Sequence, residues 1–187
     1  MPHFRRNYVQ GATYFFTVVT HHRRPILTTE LGRRCLRSAI EVVRERTPFD
    51  LFAFVLLPDH LHTVWVLPPN DSNYSTRWRR IKENFTRAYL RGGGVDGPMT
   101  LNRLRHQERA IWQHRFWEHT VRDEDDLIRC VDYVHLNPVK HGLSGSALAY
   151  PWSSFSRFVM SGDYSPEWGT AATESPDIDG AEWDHPS

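Results

Sequence analysis

The sequence is poor in cysteine and in lysine, and it contains no long apolar run. Its two cysteines, Cys35 and Cys130, each lie in a helix-like pattern, so we expect reduced core residues rather than a disulfide. No stretch reaches the roughly 18 consecutive apolar residues that a membrane-spanning helix needs, so no membrane partner is expected. The first residues, 1–7, lack an apolar signal core, which predicts a cytoplasmic protein.

Positive charge is carried almost entirely by arginine, because Lys82 and Lys140 are the only lysines. The net charge of +1 hides an asymmetry: residues 1–122 hold 20 Lys and Arg against 10 Asp and Glu, whereas residues 123–187 hold 3 against 12. The planar guanidinium group suits phosphate and stacks on bases, although a GC-rich genome would also favour arginine codons. A basic body followed by an acidic stretch predicts a polyanionic partner.

Apolar periodicity predicts an α+β fold. The expected strands are 14–20, 51–57, 60–67 and 117–121, and the expected helices are 29–46, 75–91 and one that begins after Asp123. This order matches a ferredoxin-like βαββαβ arrangement, with a four-stranded antiparallel sheet, helices on one face and strand 60–67 in the interior of the sheet. The helix that begins after Asp123 follows this βαββαβ unit as a C-terminal addition, carries Tyr133 and should end at Pro138, because the residue before a proline is steered away from helical geometry.

One domain is expected over residues 1–164. Residues 165–187 are acidic, contain glycine and proline and lose periodicity, which predicts a disordered tail. Within the domain, residues 92–111 begin with three glycines and stay polar, so this stretch is a candidate mobile segment with a short helix near 100–110.

His60 and His62 flank a single leucine at the start of strand 60–67. Alternate residues of a strand face the same side, so both imidazoles would stand about 6–7 Å apart along the chain. That arrangement can bind one divalent metal ion, but a polar pair on the solvent face of a strand is the simpler interpretation of the spacing alone. Asp59, just before the pair, either orients an imidazole or shapes the turn, and we expect the turn role.

Tyr133 and Asn137 lie four residues apart on the last helix and therefore share one face. A tyrosine can act as a covalent nucleophile, and an amide oxygen can bind a cation. Taken alone, packing of Tyr133 on the sheet and a helix-terminal role for Asn137 are the simpler interpretations of these two residues. The remaining candidates are assigned by default: Trp112 and Trp117 to the core, and His114, His119, His135 and His141 to the surface or the neighbourhood of the site.

Helix 75–91 is a candidate contact for a nucleic-acid backbone, because its apolar stripe leaves the charged residues on other faces. Its predicted phosphate contacts are Arg77, Arg79, Arg80, Lys82 and Arg87. The solvated face of an ordinary helix would carry the same charges. Near the N-terminus, Arg5 and Arg6 are candidates to enter a nucleic-acid groove, although a frayed terminus is the simpler interpretation.

Seven short motifs follow one another along the chain. They are Arg5-Arg-Asn-Tyr8, Gly11-Ala-Thr-Tyr-Phe-Phe-Thr17, Val55-Leu-Leu-Pro-Asp-His-Leu-His62, Trp112-Gln-His-Arg-Phe-Trp-Glu-His119, Tyr133-Val-His-Leu-Asn-Pro-Val-Lys-His-Gly142, Trp152-Ser-Ser-Phe155 and Gly162-Asp-Tyr164. Together, over about residues 3–169, they resemble the REP-associated tyrosine transposases, a branch of the single-tyrosine HUH transposases.

This resemblance implies that His60 and His62 bind Mg²⁺ or Mn²⁺, that Asn137 supplies a further ligand, and that Tyr133 is the nucleophile. It implies transesterification on single-stranded DNA, in which the tyrosine attacks a backbone phosphate beside a REP hairpin. The products are a 5′-phosphotyrosine and a free 3′-hydroxyl that can later rejoin strands. Mg²⁺ usually prefers oxygen ligands and keeps several waters, so the two imidazoles make Mn²⁺ a second candidate ion. A cytoplasmic, nucleoid-associated enzyme is therefore expected.

Two other functions fit parts of the pattern. A catalytically silent protein could bind DNA hairpins through the same fold, and a metal-dependent phosphodiesterase would release free products. The presence of all four carried-over residues favours the transposase. The resemblance leaves both monomer and homodimer open, and we favour a monomer.

Overall fold

The computed structural model describes residues 6–105, 108–174 and 176. Its strands are β1 (Thr13–Val19), β2 (Asp50–Leu56), β3 (His60–Val66) and β4 (Trp117–Thr120). Its helices are α1 (Glu30–Arg46), α2 (Tyr74–Arg91), α3 (Leu101–Arg105), α4 (Glu124–Lys140) and α5 (Phe155–Ser161). A short 3₁₀ turn at His21–Arg23 follows β1.

The four strands form one antiparallel sheet in the order β2-β3-β1-β4. With α1 and α2 as the crossover helices, this order is the ferredoxin-like βαββαβ arrangement, so the predicted fold is confirmed. Strand β3 is interior, as the sequence predicts. His62 therefore has a neighbour on each side, Thr17 on β1 and Val55 on β2.

The two faces of the sheet are covered by different helices. Leu61 and Trp65 of β3 belong to the core beneath α1 and α2, whereas Val64 belongs to the core beneath α4. Because side chains alternate along a strand, His60 and His62 share the face of Val64. The histidine pair thus points at α4, the helix that carries Tyr133 and Asn137.

Helix α4 begins as predicted but ends later. The Asp123 side chain accepts a hydrogen bond from the Asp126 backbone N–H, which caps the helix. The expected end at Pro138 is wrong, because the helix continues to Lys140 and the His141 N–H donates to the Asn137 carbonyl at 3.0 Å. A proline removes one backbone donor, which a final turn tolerates when the following N–H groups close it.

Two stretches expected to be loosely held pack against the domain. In the predicted tail, the Trp168 ring stacks on Phe155 of α5, with ring centres 5.5 Å apart. This contact gives residues 165–174 an aromatic anchor despite their acidic composition; residues 175 and 177–187 of the predicted tail lie outside the described residues. In the segment 92–111, the Asp96 carboxylate accepts from the Ala110 N–H at 2.8 Å, and Ala110 is fully buried.

Candidate metal and tyrosine site

The histidine pair lies at the start of β3, directly after a two-residue turn. The turn is closed by the Leu57 N–H, which donates to the His60 carbonyl at 2.9 Å. Both histidines are buried, with 2% and 0% exposure for His60 and His62, and their ring centres are 4.9 Å apart. This burial excludes a solvent-facing pair, because polar side chains are kept in a core only where they have partners or bind something.

Each imidazole is oriented through its Nδ1 atom. Asp59 Oδ1 lies 2.6 Å from His60 Nδ1, and the Thr17 hydroxyl lies 2.8 Å from His62 Nδ1. Metal-binding histidines characteristically use one ring nitrogen for such a contact and the other for the ion. The arrangement therefore presents Nε2 of both rings to a ligand, and Asp59 does more than shape the turn.

Asp59 is itself held from two directions. Burial alone would raise the pKa of its carboxyl group, but the hydrogen bonds and charges of His60 and Arg23 outweigh burial, and its pKa lies below the usual range. Arg23 Nη1 donates to Asp59 Oδ2 at 3.1 Å, and the Thr20 N–H donates to the Asp59 carbonyl at 2.8 Å. Asp59 thus stays ionised and accepts a hydrogen bond from His60 Nδ1–H.

The 3₁₀ turn that supplies Arg23 is strained. Its residues His22 and Arg23 have φ values of 53° and 48°, a left-handed backbone conformation that residues other than glycine rarely adopt. Such strain persists where the surrounding structure fixes it, and it clusters at functional sites. No spacing in the sequence could have linked Arg23 to Asp59, which lies 36 residues further along the chain.

Helix α4 crosses the histidine pair with one side chain per turn. The Tyr133 ring centre lies 5.2 Å from that of His62, and the His141 ring centre lies 5.2 Å from that of His60. Asn137 is midway between them along the helix, at i+4 from Tyr133 and i−4 from His141. All four residues carried over from the transposase motifs therefore meet at one place, and His141, assigned from the sequence to the surface or the neighbourhood of the site, joins them.

Asn137 fits a ligand in this position. Its side chain is 1% exposed, and neither Oδ1 nor Nδ2 has a hydrogen-bond partner among the described residues. A buried polar group left in this way costs free energy unless something binds it. Two imidazole nitrogens and one amide oxygen form a donor set that suits a divalent cation such as Mn²⁺ or Mg²⁺.

A second cluster of metal-ligand types has another explanation. His119, Asp126 and Cys130 place their ligand atoms within 4.8 Å of one another. The Asp126 carboxylate, however, already accepts from His119 Nε2 at 2.8 Å and from the guanidinium group of Arg122. Burial raises the pKa of the Cys130 thiol to about 12, so without a metal the thiol is neutral near neutral pH. This cluster ties β4 to α4.

A basic groove of about 820 Å³ lies between α2 and residues 108–116. Four predicted DNA contacts line it, namely Arg6, Arg79, Lys82 and Arg87, together with two arginines that the sequence did not single out, Arg103 and Arg109. Helix α2 packs on the face of the sheet opposite α4, so this groove and the histidine site lie on opposite faces.

Lys82 sits at the floor of the basic groove. Its ammonium group donates to the Gln113 carbonyl at 2.8 Å. Burial, together with the positive charges of Arg6 and Arg103, lowers the pKa of Lys82 to about 7. Keeping Lys82 protonated in this position therefore costs free energy, and a phosphate group bound in the groove would offset that cost.

Among the residues described, two of the three remaining predicted DNA contacts, Arg77 and Arg80, do not line the basic groove. Arg77 is 2% exposed and donates to the Asp71 carboxylate at 2.6 Å, so its assignment as a phosphate contact is wrong. It also donates to the carbonyls of Thr47, Pro48 and Asn73. Its position four residues before Ile81 places it beside the apolar stripe, a signal that could have revealed its burial. Arg80 is exposed on α2, and Arg5 lies outside the described residues.

The two tryptophans assigned to the core lie where they were predicted, whereas one of the histidines assigned to the surface or the neighbourhood of the site does not. Trp112 and Trp117 are buried, as predicted. His135 is fully buried rather than near the surface, its Nε2 lies 2.9 Å from the Ser154 hydroxyl, and burial lowers its pKa to about 3. It is a neutral core residue between α4 and α5.

Comparison with known proteins identifies the family. The model for IS200-like transposases matches residues 8–137. A REP-associated tyrosine transposase from Escherichia coli (strain K12) is 40% identical over 175 residues, which cover 93% of this chain and 94% of the relative. The chain belongs to the REP-associated tyrosine transposases. A second relative of this family, from Haemophilus influenzae, is 39% identical over 169 residues, covering 90% of this chain and 94% of its own.

A solved structure supports the same assignment. It shows a REP-associated tyrosine transposase bound to a REP hairpin, with a TM-score of 0.76 and 38% identity, and the match covers 95% of this chain and 98% of that one. The expected membership is thereby confirmed. Within the part of this transposase that the structure describes, no helix is long and apolar enough to cross a bilayer.

Proposed function

We propose that this transposase is a metal-dependent single-stranded DNA endonuclease and strand transferase that acts beside REP-like hairpins. The observation that carries this proposal is the contact between the rings of Tyr133 and His62, whose centres lie 5.2 Å apart. It brings a tyrosine nucleophile against a pair of imidazoles that Asp59 and Thr17 have already oriented.

The proposed reaction is a transesterification at a DNA phosphate. The Tyr133 phenolic oxygen forms a bond to phosphorus and gives up its proton to solvent, while the bond from phosphorus to the 3′-oxygen breaks. The 3′-oxygen takes up a proton and leaves as a hydroxyl, and the 5′ end stays on the protein as a phosphotyrosine. Because one phosphodiester replaces another, a 3′-hydroxyl can reverse the step without an external energy source.

Each residue of the centre has a separate task. His60, His62 and Asn137 would hold the divalent ion, and the ion would polarise and orient the phosphate under attack. Phe15 fixes the spacing, because its ring centre lies 5.6 Å from that of His62 and 5.6 Å from that of Tyr133. The nucleophile is thus positioned by packing rather than by a mobile loop.

Hairpin binding is proposed from the charge distribution and from the relative that binds a REP hairpin. Arg6, Arg79, Lys82 and Arg87 in the basic groove, with Arg80 beside it, would contact the phosphates of the stem. The groove lies across the sheet from Tyr133, so the flanking single strand would have to pass around the sheet edge to reach the nucleophile.

A monomer is proposed as the catalytic unit. His60, His62, Tyr133 and Asn137 all come from one chain, and α4 packs on its own sheet. The proposed centre is therefore built from residues of a single copy.

The test is capture of the covalent intermediate on single-stranded oligonucleotides that carry a REP-like hairpin and both flanks, with Mg²⁺ or Mn²⁺ present. We expect a protein–DNA adduct on a denaturing gel that is lost in Tyr133→Phe and in the His60→Ala/His62→Ala double variant. Tyr89→Phe, a buried tyrosine of α2, is the matched control and should react like the wild type. Tight binding without cleavage would indicate the silent hairpin-binding protein, and cleavage that survives Tyr133→Phe would indicate the phosphodiesterase.

A further inference from the structure

His141 lies at the C-terminal end of α4, where its backbone is fixed. It is the C-cap residue, and its N–H donates to the carbonyls of Asn137 and Val139. The next residue, Gly142, has φ +66, a conformation that suits glycine and turns the chain away. The helix end therefore sets where the His141 side chain starts, two helical turns beyond Tyr133 and on the same face.

The distance from His141 to His60 fits two ligands of one ion. Two imidazoles bound to one metal at about 2.1 Å place their ring centres roughly 4.6–5.3 Å apart, for bond angles between octahedral and tetrahedral. The His60 and His62 ring centres are 4.9 Å apart, and those of His60 and His141 are 5.2 Å apart. Both pairs lie within this window.

His141 also differs from the other two histidines in its exposure. His60 and His62 are buried at the floor of the site, whereas His141 is exposed at its rim. A ligand at the rim can close on an ion after it has entered, without any rearrangement of the sheet. Asn137, with its unpaired amide, lies between the floor and the rim along α4.

We propose that His141 is a third imidazole ligand of the divalent ion in this transposase. The centre would then offer three nitrogens and one amide oxygen, a set that favours first-row transition ions over Mg²⁺. Among those ions, the general affinity order places Co²⁺ above Mn²⁺. The inference rests on the proposed metal-dependent function and names the ligand that would set its ion preference.

The experiment measures metal binding directly, with the full-length protein and no DNA. Mn²⁺ and Co²⁺ dissociation constants are determined for the wild type, His141→Ala, His60→Ala and His114→Ala. We expect His141→Ala to weaken the binding of both ions by about tenfold or more. Even the loss of a group that only hydrogen-bonds to a metal ligand typically lowers metal affinity by that much. His114, an exposed histidine that lines the basic groove, is the matched control and should leave both constants unchanged.

Pulsed electron paramagnetic resonance on bound Mn²⁺ counts the coordinating nitrogens independently of affinity. Three imidazole couplings are expected in the wild type and two in His141→Ala. The inference is overturned if His141→Ala matches the wild type in both measurements while His60→Ala loses binding. If the wild type itself binds neither ion, the proposed metal-dependent function fails instead.

Discussion

At the scale of single residues, the site depends on contacts that point the two imidazoles. Asp59 holds His60, and Thr17 holds His62 from the neighbouring strand. Strand alternation in the sequence predicts that the histidines share a face. It cannot predict Thr17, because the pairing of β1 with β3 brings together residues 45 positions apart.

Thr17→Val tests this orientation, since valine keeps the shape of threonine and removes its hydroxyl. We expect Mn²⁺ affinity to fall by about 10–100-fold, the usual cost of losing a group that orients a metal ligand. Thr63→Val is the control, because the buried Thr63 hydroxyl donates to the Ala53 carbonyl and not to a histidine. Equal affinities in the two variants, measured by calorimetric titration, would show that the Thr17 contact is incidental.

At the scale of elements, the apolar stripes predict the helices α2 and α4 but not the position of every charged residue on α2 or the residue at which α4 ends. The spacing of Trp78, Ile81, Phe85 and Tyr89 is enough to predict α2 and the side that it buries. The same spacing does not show that Arg77 is buried, where it donates to the Thr47 carbonyl in the loop before β2. Nor does it show that Arg79 and Arg87 line the groove instead. The end of α4 also differs from what the proline alone predicts, because the N–H groups of His141 and Gly142 close the turn after Pro138.

Lys82 should make DNA binding depend on pH. Its cationic form favours phosphate, and because its pKa is about 7, affinity for a hairpin oligonucleotide should fall as the pH rises from about 6 to about 8. The slope of log affinity against log salt concentration should also become shallower by about one over this range, because one phosphate contact loses its charge. Fluorescence anisotropy at matched ionic strength measures both effects.

Lys82→Arg is the control for this titration, since arginine stays charged throughout. We expect this variant to bind with little change between the two pH values. An equal loss of affinity in Lys82→Arg and in the wild type would assign the pH effect to another group.

His135 should make the stability of the α4–α5 packing depend on pH. Its pKa is about 3 in the folded protein and about 6.5 when unfolded, so below pH 6.5 the unfolded state binds more protons. The free energy of unfolding should therefore fall as the pH drops from about 6.5 toward 3, by at most about 1.4 kcal/mol per pH unit from this group. Urea unfolding of wild type and His135→Gln checks this, and parallel pH profiles would contradict it.

At the scale of the whole molecule, the sheet separates two surfaces with different chemistry. The histidines, Tyr133 and Asn137 occupy the α4 face, while the arginine-lined groove occupies the side of α2. The strand and helix order predicts this fold because each element has a clear apolar period. It does not predict the packing of residues 165–174, where one aromatic anchor, Trp168, outweighs an acidic composition.

The identity of the nucleophile is the central claim, and peptide mapping of the covalent adduct tests it most directly. After cleavage of a hairpin oligonucleotide, nuclease and protease digestion should leave a nucleotide mass on the peptide that contains Tyr133, attached through a 5′-phosphate. The same mass on another tyrosine, such as the exposed Tyr8 in the basic groove, would contradict the account. So would efficient cleavage with no modified peptide.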